Sequence, residues 1–444
     1  MVIRLHNMAA SCLHSCIKTL LFVSLLSLVN EGYAQREQSK SESRHIFQVS
    51  SLLPSASCKT SSTGNIQKSS LKVVHKHGPC SLHAQAKPNL LNHTKILVGD
   101  QSRVDSIQSK ISTSLGGSKA TLPATLGIPF ESAEYVVTIG IGSPPLNLTL
   151  IFDTGSDLTW TQCEPCSFCY PQSDPIFDPS HSSSYAATPC TSPMCTASDT
   201  LTLTSTDVIR NFQFGCGKTN YGQYGEVAGL LGLARDSLSI VGQTTNQYGQ
   251  YFSYCLPSSS SSTGYLTFGK TSESPKSLTF TPMANIPGSS YFYGINIVGI
   301  AVGGTTLPIP SPVFTNAGAI IDSGTVITRL PPTAYNALST AFQKEMASYK
   351  RAAGFGIFDT CYDLSNTTSI VVPNITFTFS GGAFMDLDSS GILYTITDAQ
   401  VCLAFAPNDE DTEIVIYGNT QQKTFEVIYD VARGQLGFAP NSCS

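Results

Sequence analysis

A chain of 444 residues that is 41% hydrophobic and only 12% charged can bury a sizeable core, which excludes a disordered tail. Its length allows two or three domains of ordinary size. The formal net charge of −5 hides an asymmetry: residues 35–120 carry 12 Lys+Arg against 4 Asp+Glu, and residues 121–444 carry 11 against 25. An acidic body argues against nucleic acid as a partner. A basic leader on that body is expected to dock at neutral pH and to loosen as carboxylates protonate.

Residues 1–34 read as a secretory signal, with Arg4 and Lys18 ahead of an apolar core from Leu20 to Val29 and a small-residue exit at Gly32-Tyr33-Ala34. That core is short for a bilayer span, and no later stretch is long enough, so a membrane is not expected as a partner. The expected location is secreted, with vacuole or plastid as alternatives. Residues 35–121 are rich in Ser and Lys and read as a propeptide, a disordered linker being the alternative. Leu71–Cys80 is strand-like and basic. From Asp100 to Ser112, Val104, Ile107 and Ile111 share one helical face behind a possible Asp100 cap.

Alternating apolar segments recur through the body while helix-period stretches are few, so mostly β structure is expected. Glu134–Gly142 alternates as a strand. The run L-I-F-D-T-G-S-D-L-T-W then delivers Asp153 into a Gly turn with Thr154, Gly155 and Ser156. The device repeats at G-A-I-I-D-S-G-T, where Asp322 precedes Ser323, Gly324 and Thr325. Two matched copies suggest a duplicated lobe that brings two carboxylates together. Like charges about 3 Å apart cannot both ionise, so such a pair shares one proton. One carboxylate then serves as general base on a water and the other as general acid toward a carbonyl.

Histidine placement argues against other chemistries. His181 alone of the eight His lies in the body, within a Ser-rich loop, so Ser-His, Cys-His and His-metal sites would all rest on that one residue. No metal and no cofactor are expected. Close Cys spacing at Cys163, Cys166 and Cys169 would suit zinc in the cytosol, but behind a signal peptide it favours disulfides. The ten body cysteines are Cys163, Cys166, Cys169, Cys190, Cys195, Cys216, Cys255, Cys361, Cys402 and Cys443, and their connectivity is open. Sequons fall at Asn92, Asn147, Asn366 and Asn374, with Asn147 close to the first acidic turn.

Leu230-Leu231-Gly232 suits a strand beneath the first turn, and Ile416-Tyr417-Gly418 is its counterpart. Ser258–Thr263 reads as a low-complexity loop, Thr333–Tyr349 as a helix after Pro331-Pro332, and the C-terminal end as a hairpin on Arg433-Gly434.

From about residue 130 onward the chain resembles the nepenthesin-type aspartic proteases of plants, particularly the group related to a chloroplast-nucleoid DNA-binding protease. The resemblance rests on I-F-D-T-G-S-D-L-T-W-T-Q-C, F-G-C-G, G-L-L-G-L, F-S-Y-C-L-P, A-I-I-D-S-G-T, I-Y-G-N-T-Q-Q and V-I-Y-D-V-A. V-V-H-K-H-G-P-C in the leader is similar to that group's propeptide. The resemblance implies an all-β, bilobal pepsin-like fold with a few short helices, lobes at 122–286 and 287–444, and Asp153 and Asp322 as the catalytic pair. It implies an acid-acting endopeptidase made as a zymogen, with protein or peptide substrates and its own propeptide as intramolecular inhibitor; a monomer is expected. In relatives a flap hairpin carrying a Tyr covers the substrate and bonds toward the Trp that is Trp160 here. That segment is missing: only Thr196–Thr200 separates Cys195 from Leu201, and Tyr185 and Tyr221 are poor stand-ins. Its loss puts activity in question and leaves a non-catalytic binding or inhibitor protein, or a low-activity isoform, as the alternative.

Overall fold

The computed structural model describes residues 44–53, 55–59, 70–82, 92–115, 135–188, 196–220, 225–270, 275 and 277–443. The expected signal segment therefore lies outside the described residues, as do Tyr221, Cys190 and Cys195. Strands dominate, organised around one 13-stranded sheet. Its middle carries the first acidic turn. Tyr135–Ile141 pairs antiparallel with Leu146–Asp153, which runs parallel to Gly229–Gly232 with Asp153 opposite Gly232. Tyr135–Ile141 was expected from its alternation, but only Thr138 of its seven residues is exposed. Val137 and Ile139 join the main core on one face, and Val136 packs with Ile151, Tyr170 and Leu230 on the other.

The second acidic turn is built the same way in a separate six-stranded sheet. Ala319–Ile321 runs parallel to Val415–Tyr417, with Ile321 opposite Tyr417. The two halves are not closed units. The C-terminal hairpin, Glu426–Asp430 and Gln435–Ala439, returns to the large sheet, where Glu426–Asp430 pairs with Tyr251–Cys255. Phe252 and Tyr429 are partners across that seam, their rings stacked at 4.4 Å, with Tyr293 edge-on to Tyr429 at 4.5 Å.

The N-terminal segment is woven into the body. Ser70–His75 lies between Thr263–Phe268 and Tyr135–Ile141 and is bonded on both sides, with Leu71 and Val73 buried. Arg44–Gln48 adds an edge to Ser369–Pro373. The Cys58–Cys80 disulfide staples the segment, and its turn sits on the serine run near 260. Lys59 N–H donates to Ser261 O at 2.7 Å, Ser55 N–H to Ser261 Oγ at 3.1 Å, and the Cβ that Gly78 lacks would lie 1.9 Å from Ser260 O. The expected low-complexity loop at 258–263 is thus a hydroxyl-lined docking turn.

The predicted helix is longer than expected, His93–Leu115, with Asn92 Oδ1 accepting the Lys95 N–H at 3.0 Å as its cap. Asp100 is therefore not a cap; it sits mid-helix with its side chain buried in the body. Val104, Ile107 and Ile111 do share a buried face, against Ile286, Phe292, Ile320, Ile414 and Ile416. The expected helix after Pro331 spans Pro332–Glu345.

Disulfides join Cys163 to Cys216, Cys166 to Cys169, Cys255 to Cys443 and Cys361 to Cys402. Of the sequons, Asn147 and Asn366 are exposed, while Asn374 is buried with its Nδ2 donating to Asp386 at 3.3 Å, which leaves no room for a glycan in the folded chain. Among the described residues, no helix is long and apolar enough to cross a membrane.

Phe252→Ala should open a cavity at the seam and lower stability by about 3–5 kcal/mol. A urea titration followed by intrinsic fluorescence measures it.

Candidate active site

Each acidic strand ends in a turn whose first residue is the carboxylate, and the two turns bond their carboxylates in matching fashion. Gly155 N–H donates to Asp153 Oδ1 at 3.0 Å and the Ser156 hydroxyl to Asp153 Oδ2. Gly324 N–H donates to Asp322 Oδ1 at 3.3 Å and the Thr325 hydroxyl to Asp322 Oδ2 at 2.6 Å. The turns also grip each other. Ser323 N–H donates to Thr154 Oγ1 at 2.9 Å, and Thr154 N–H donates to Ser323 Oγ at 3.1 Å.

Both turns need glycine for close approach. A Cβ on Gly155 would stand 2.7 Å from Asp322 Oδ1, and one on Gly324 would stand 2.5 Å from Asp153 Oδ1. The glycines beneath the turns serve similarly, since Cβ atoms on Gly232 and Gly418 would reach Asp157 O at 2.1 Å and Val326 O at 2.8 Å. Behind Asp322, Gln422 Nε2 donates to the backbone oxygens of Tyr417 and Asp322 at 2.9 and 3.3 Å, and its Oε1 accepts the Tyr254 hydroxyl.

Between the two carboxylates sits a side chain that the sequence reading did not single out. Arg103, on the long N-terminal helix, donates from Nη2 to Asp153 Oδ1 at 2.6 Å and to Asp322 Oδ1 at 2.9 Å, and from Nε to Asp322 Oδ2 at 2.9 Å. All three side chains are buried. Two carboxylates and one guanidinium leave a net negative charge in a dry site, and the titration splits accordingly. Burial pushes Asp153 above its ordinary 3.8, with the Asp322 charge adding to it against Arg103. Burial acts on Asp322 too, but the Arg103 charge and its hydrogen bonds, with Thr325 and Gly324, more than reverse it and hold Asp322 below 3.8. In this form Asp322 is the carboxylate kept ionised.

One turn earlier on the same helix, Asp100 accepts the Val326 N–H at 2.6 Å, the Ile327 N–H at 3.3 Å and the Arg329 guanidinium at 2.9 Å. Burial pushes its carboxyl up, against the pull of Arg329 and the two N–H groups. Asp157, next to the first turn, is pushed up to about 6 by burial and by the Asp236 charge.

Of the other expected site residues, Trp160 has its ring edge-on to Tyr170 at 6.5 Å. Tyr185 packs on Phe177 at 6.3 Å. His181 is exposed beside Asp178, away from the carboxylate pair. Among the described residues, no group of three or more His, Cys, Asp or Glu is placed to hold a metal ion.

Residues 135–198 and 196–270 match the family model described as Xylanase inhibitor N-terminal, and residues 292–440 the one described as Xylanase inhibitor C-terminal. An aspartyl protease family protein of Arabidopsis thaliana is 47% identical over 466 aligned positions, covering 96% of this chain and 98% of its own. This chain belongs to the plant aspartyl protease family. Nepenthesin-2 of Nepenthes gracilis, an aspartic proteinase, is 35% identical across 70% of this chain and 78% of its own. The fold is that of solved plant structures such as Basic 7S globulin from soybean, at a TM-score of 0.56 and 17% identity, covering 69% of this chain and 93% of that one.

The N-terminal match falls in two parts that meet at residues 196–198. The 466 aligned positions exceed the 444 residues of the chain, so the Arabidopsis relative carries residues with no counterpart here.

Thr154→Val should leave the buried Ser323 N–H without its acceptor and cost about 1–3 kcal/mol, whereas Thr154→Ser should retain the bond. Thermal melts of the two variants against the parent decide it.

Proposed function

We propose that the chain is the secreted precursor of an aspartic endopeptidase that hydrolyses peptide bonds at acid pH, with Asp153 and Asp322 as its catalytic pair. The observation that carries this reading is the pair of buried, identically bonded carboxylates close enough to share one guanidinium nitrogen. With Arg103 gone, a water takes its place and the two carboxyls share one proton. The ionised carboxylate accepts a proton from the water as its oxygen attacks the peptide carbonyl carbon, and the protonated one donates to the carbonyl oxygen. Collapse of the resulting diol, with a proton delivered to the amide nitrogen, breaks the C–N bond and releases an acid and an amine.

In this reading residues 35–121 are the propeptide and Arg103 is the inhibitory group, occupying the place of the water and of both carboxylates' charge partner. The helix must be displaced before substrate can enter. A non-catalytic binding protein on the same fold has less support, because both acidic turns keep every bond that such chemistry uses.

Asp153→Asn and Asp322→Asn should each lower kcat by about 10²- to 10⁴-fold. Hydrolysis of an unfolded protein at pH 3 to 5 by acid-treated, disulfide-bonded protein measures it, and absence of cleavage by the folded parent would favour the binding protein. A synthetic helix 93–115 should inhibit the mature form, and an Arg103→Gln version should be weaker by roughly 10- to 100-fold.

Release should have an acid threshold. Asp322 is depressed in the docked form, so its share of the docking energy is complete above its ordinary 3.8 and is lost as pH falls through the docked value. The segment should therefore stay bound at pH 5 and leave at pH 3. Limited proteolysis of the helix across that range tests the threshold, and release already complete at pH 5 would contradict it.

A further inference from the structure

Arg329 is a fully buried cation of the body whose carboxylate partner, among the described residues, lies on the N-terminal segment. Its Nη1 donates to Ile327 O at 2.9 Å and its Nη2 to Asp100 at 2.9 Å and to Gln101 Oε1 at 3.4 Å. Its Nε has no partner. A structural arginine this deep ordinarily has its counter-charge in the same body, because breaking a buried pair leaves an uncompensated charge, which is strongly unfavourable. Here, departure of the helix removes the counter-charge and at the same time strips the Val326 and Ile327 N–H groups of their acceptor.

What remains is a pocket lined by donors of Arg329, Val326 and Ile327, with the Ile327 carbonyl already held by Arg329 Nη1, at the start of the strand Thr328–Leu330 that follows the second acidic turn. Asp100 and Arg103 are one helical turn apart, a rise of about 4.5 Å, or one to two residues of extended chain. The pocket therefore opens along the same cleft, a short step from the carboxylate pair. A carboxyl group satisfies it, as Asp100 does. An amide of the same shape must turn at least one N–H toward a donor, and an apolar side chain leaves all three donors bare.

We infer that the mature protein has an acid-recognising subsite, formed by Arg329 with the Val326 and Ile327 N–H groups, that selects substrates with an Asp or Glu near the scissile bond. This rests on the peptidase reading above, with Asp100 as the side chain that fills the subsite in the precursor. The subsite ties the two roles of the segment together: Arg103 covers the reacting groups while Asp100 occupies the specificity pocket.

The test uses the full chain carrying Asp100→Asn and Arg103→Gln, which weakens the helix's ionic hold on the cleft, at pH 4.5, and paired peptides carrying Glu or Gln at each position within four residues of the cleaved bond. Cleavage is read as kcat/KM, and binding is read as Kd on the Asp153→Asn form. At one position Glu should be favoured over Gln by roughly tenfold in both readouts. Arg329→Gln should erase that difference, and Arg329→Lys should keep part of it. Because the paired peptides are compared on protein unaltered at Arg329, the test survives a variant that fails to fold. Equal handling of Glu and Gln at every position overturns the subsite, whether or not cleavage occurs. Glu-selective binding without cleavage by the parent upholds the subsite and overturns the peptidase reading alone.

Discussion

Two buried carboxylates facing each other repel, and the folded chain offsets that repulsion with a cation. The rest of the structure follows from keeping those groups together. Two short parallel strand pairs, one in each half, carry Asp153 and Asp322 to the same depth. Glycine at 155 and 324 lets each turn reach across to the opposite carboxylate, and the paired Thr154 and Ser323 bonds lock the approach. With such a frame fixed, a single guanidinium reaches both acids without moving either.

The segment that supplies the guanidinium is attached in ways that differ in cost. Its helix lies on the surface of the cleft by one apolar face and three buried ionic contacts. Its strand is interior to the large sheet, bonded on both sides, so withdrawing it would open two unpaired strand edges. Displacement of the helix alone frees the carboxylates and leaves the sheet intact. The loss of Asp322's docking energy bears on the helix and not on the strand, which separates unmasking of the site from removal of the whole segment.

The strands, both acidic turns and the glycines beneath them were legible because each is a local pattern: an apolar run, an acid, a small turn. The face formed by Val104, Ile107 and Ile111 was legible for the same reason. What sequence could not supply was the pairing of residues far apart. Arg103 and Asp100 look like ordinary polar positions on an amphipathic helix, and only the docked geometry places them against Asp153, Asp322 and Arg329. Asp100 was misread as a cap because an acid at the head of a periodic stretch usually is one, whereas the helix begins earlier, at Asn92. The basic charge of the leader signalled docking without saying which charge does the work. Gln422 was visible within I-Y-G-N-T-Q-Q, but its role in holding the Asp322 backbone depends on packing alone.

The short stretch between Cys195 and Leu201 bears on how the cleft is covered. In the first half, Ala186–Ala187 pairs with Ala197–Ser198. Among the described residues, the cover over the two carboxylates is the helix itself. In the proposed peptidase, removing it exposes the pair to bulk water, and water weakens every electrostatic contact such a reaction needs. A substrate must then exclude water with its own chain, which favours substrates that gain contacts beside the scissile bond. A carboxyl group seated on Arg329 is such a contact, since it restores the counter-charge that the departing helix takes away. On the proposed reading, an uncovered cleft and dependence on that subsite are one constraint: with less protein to clamp the substrate, more of the clamping falls to the substrate's own side chains.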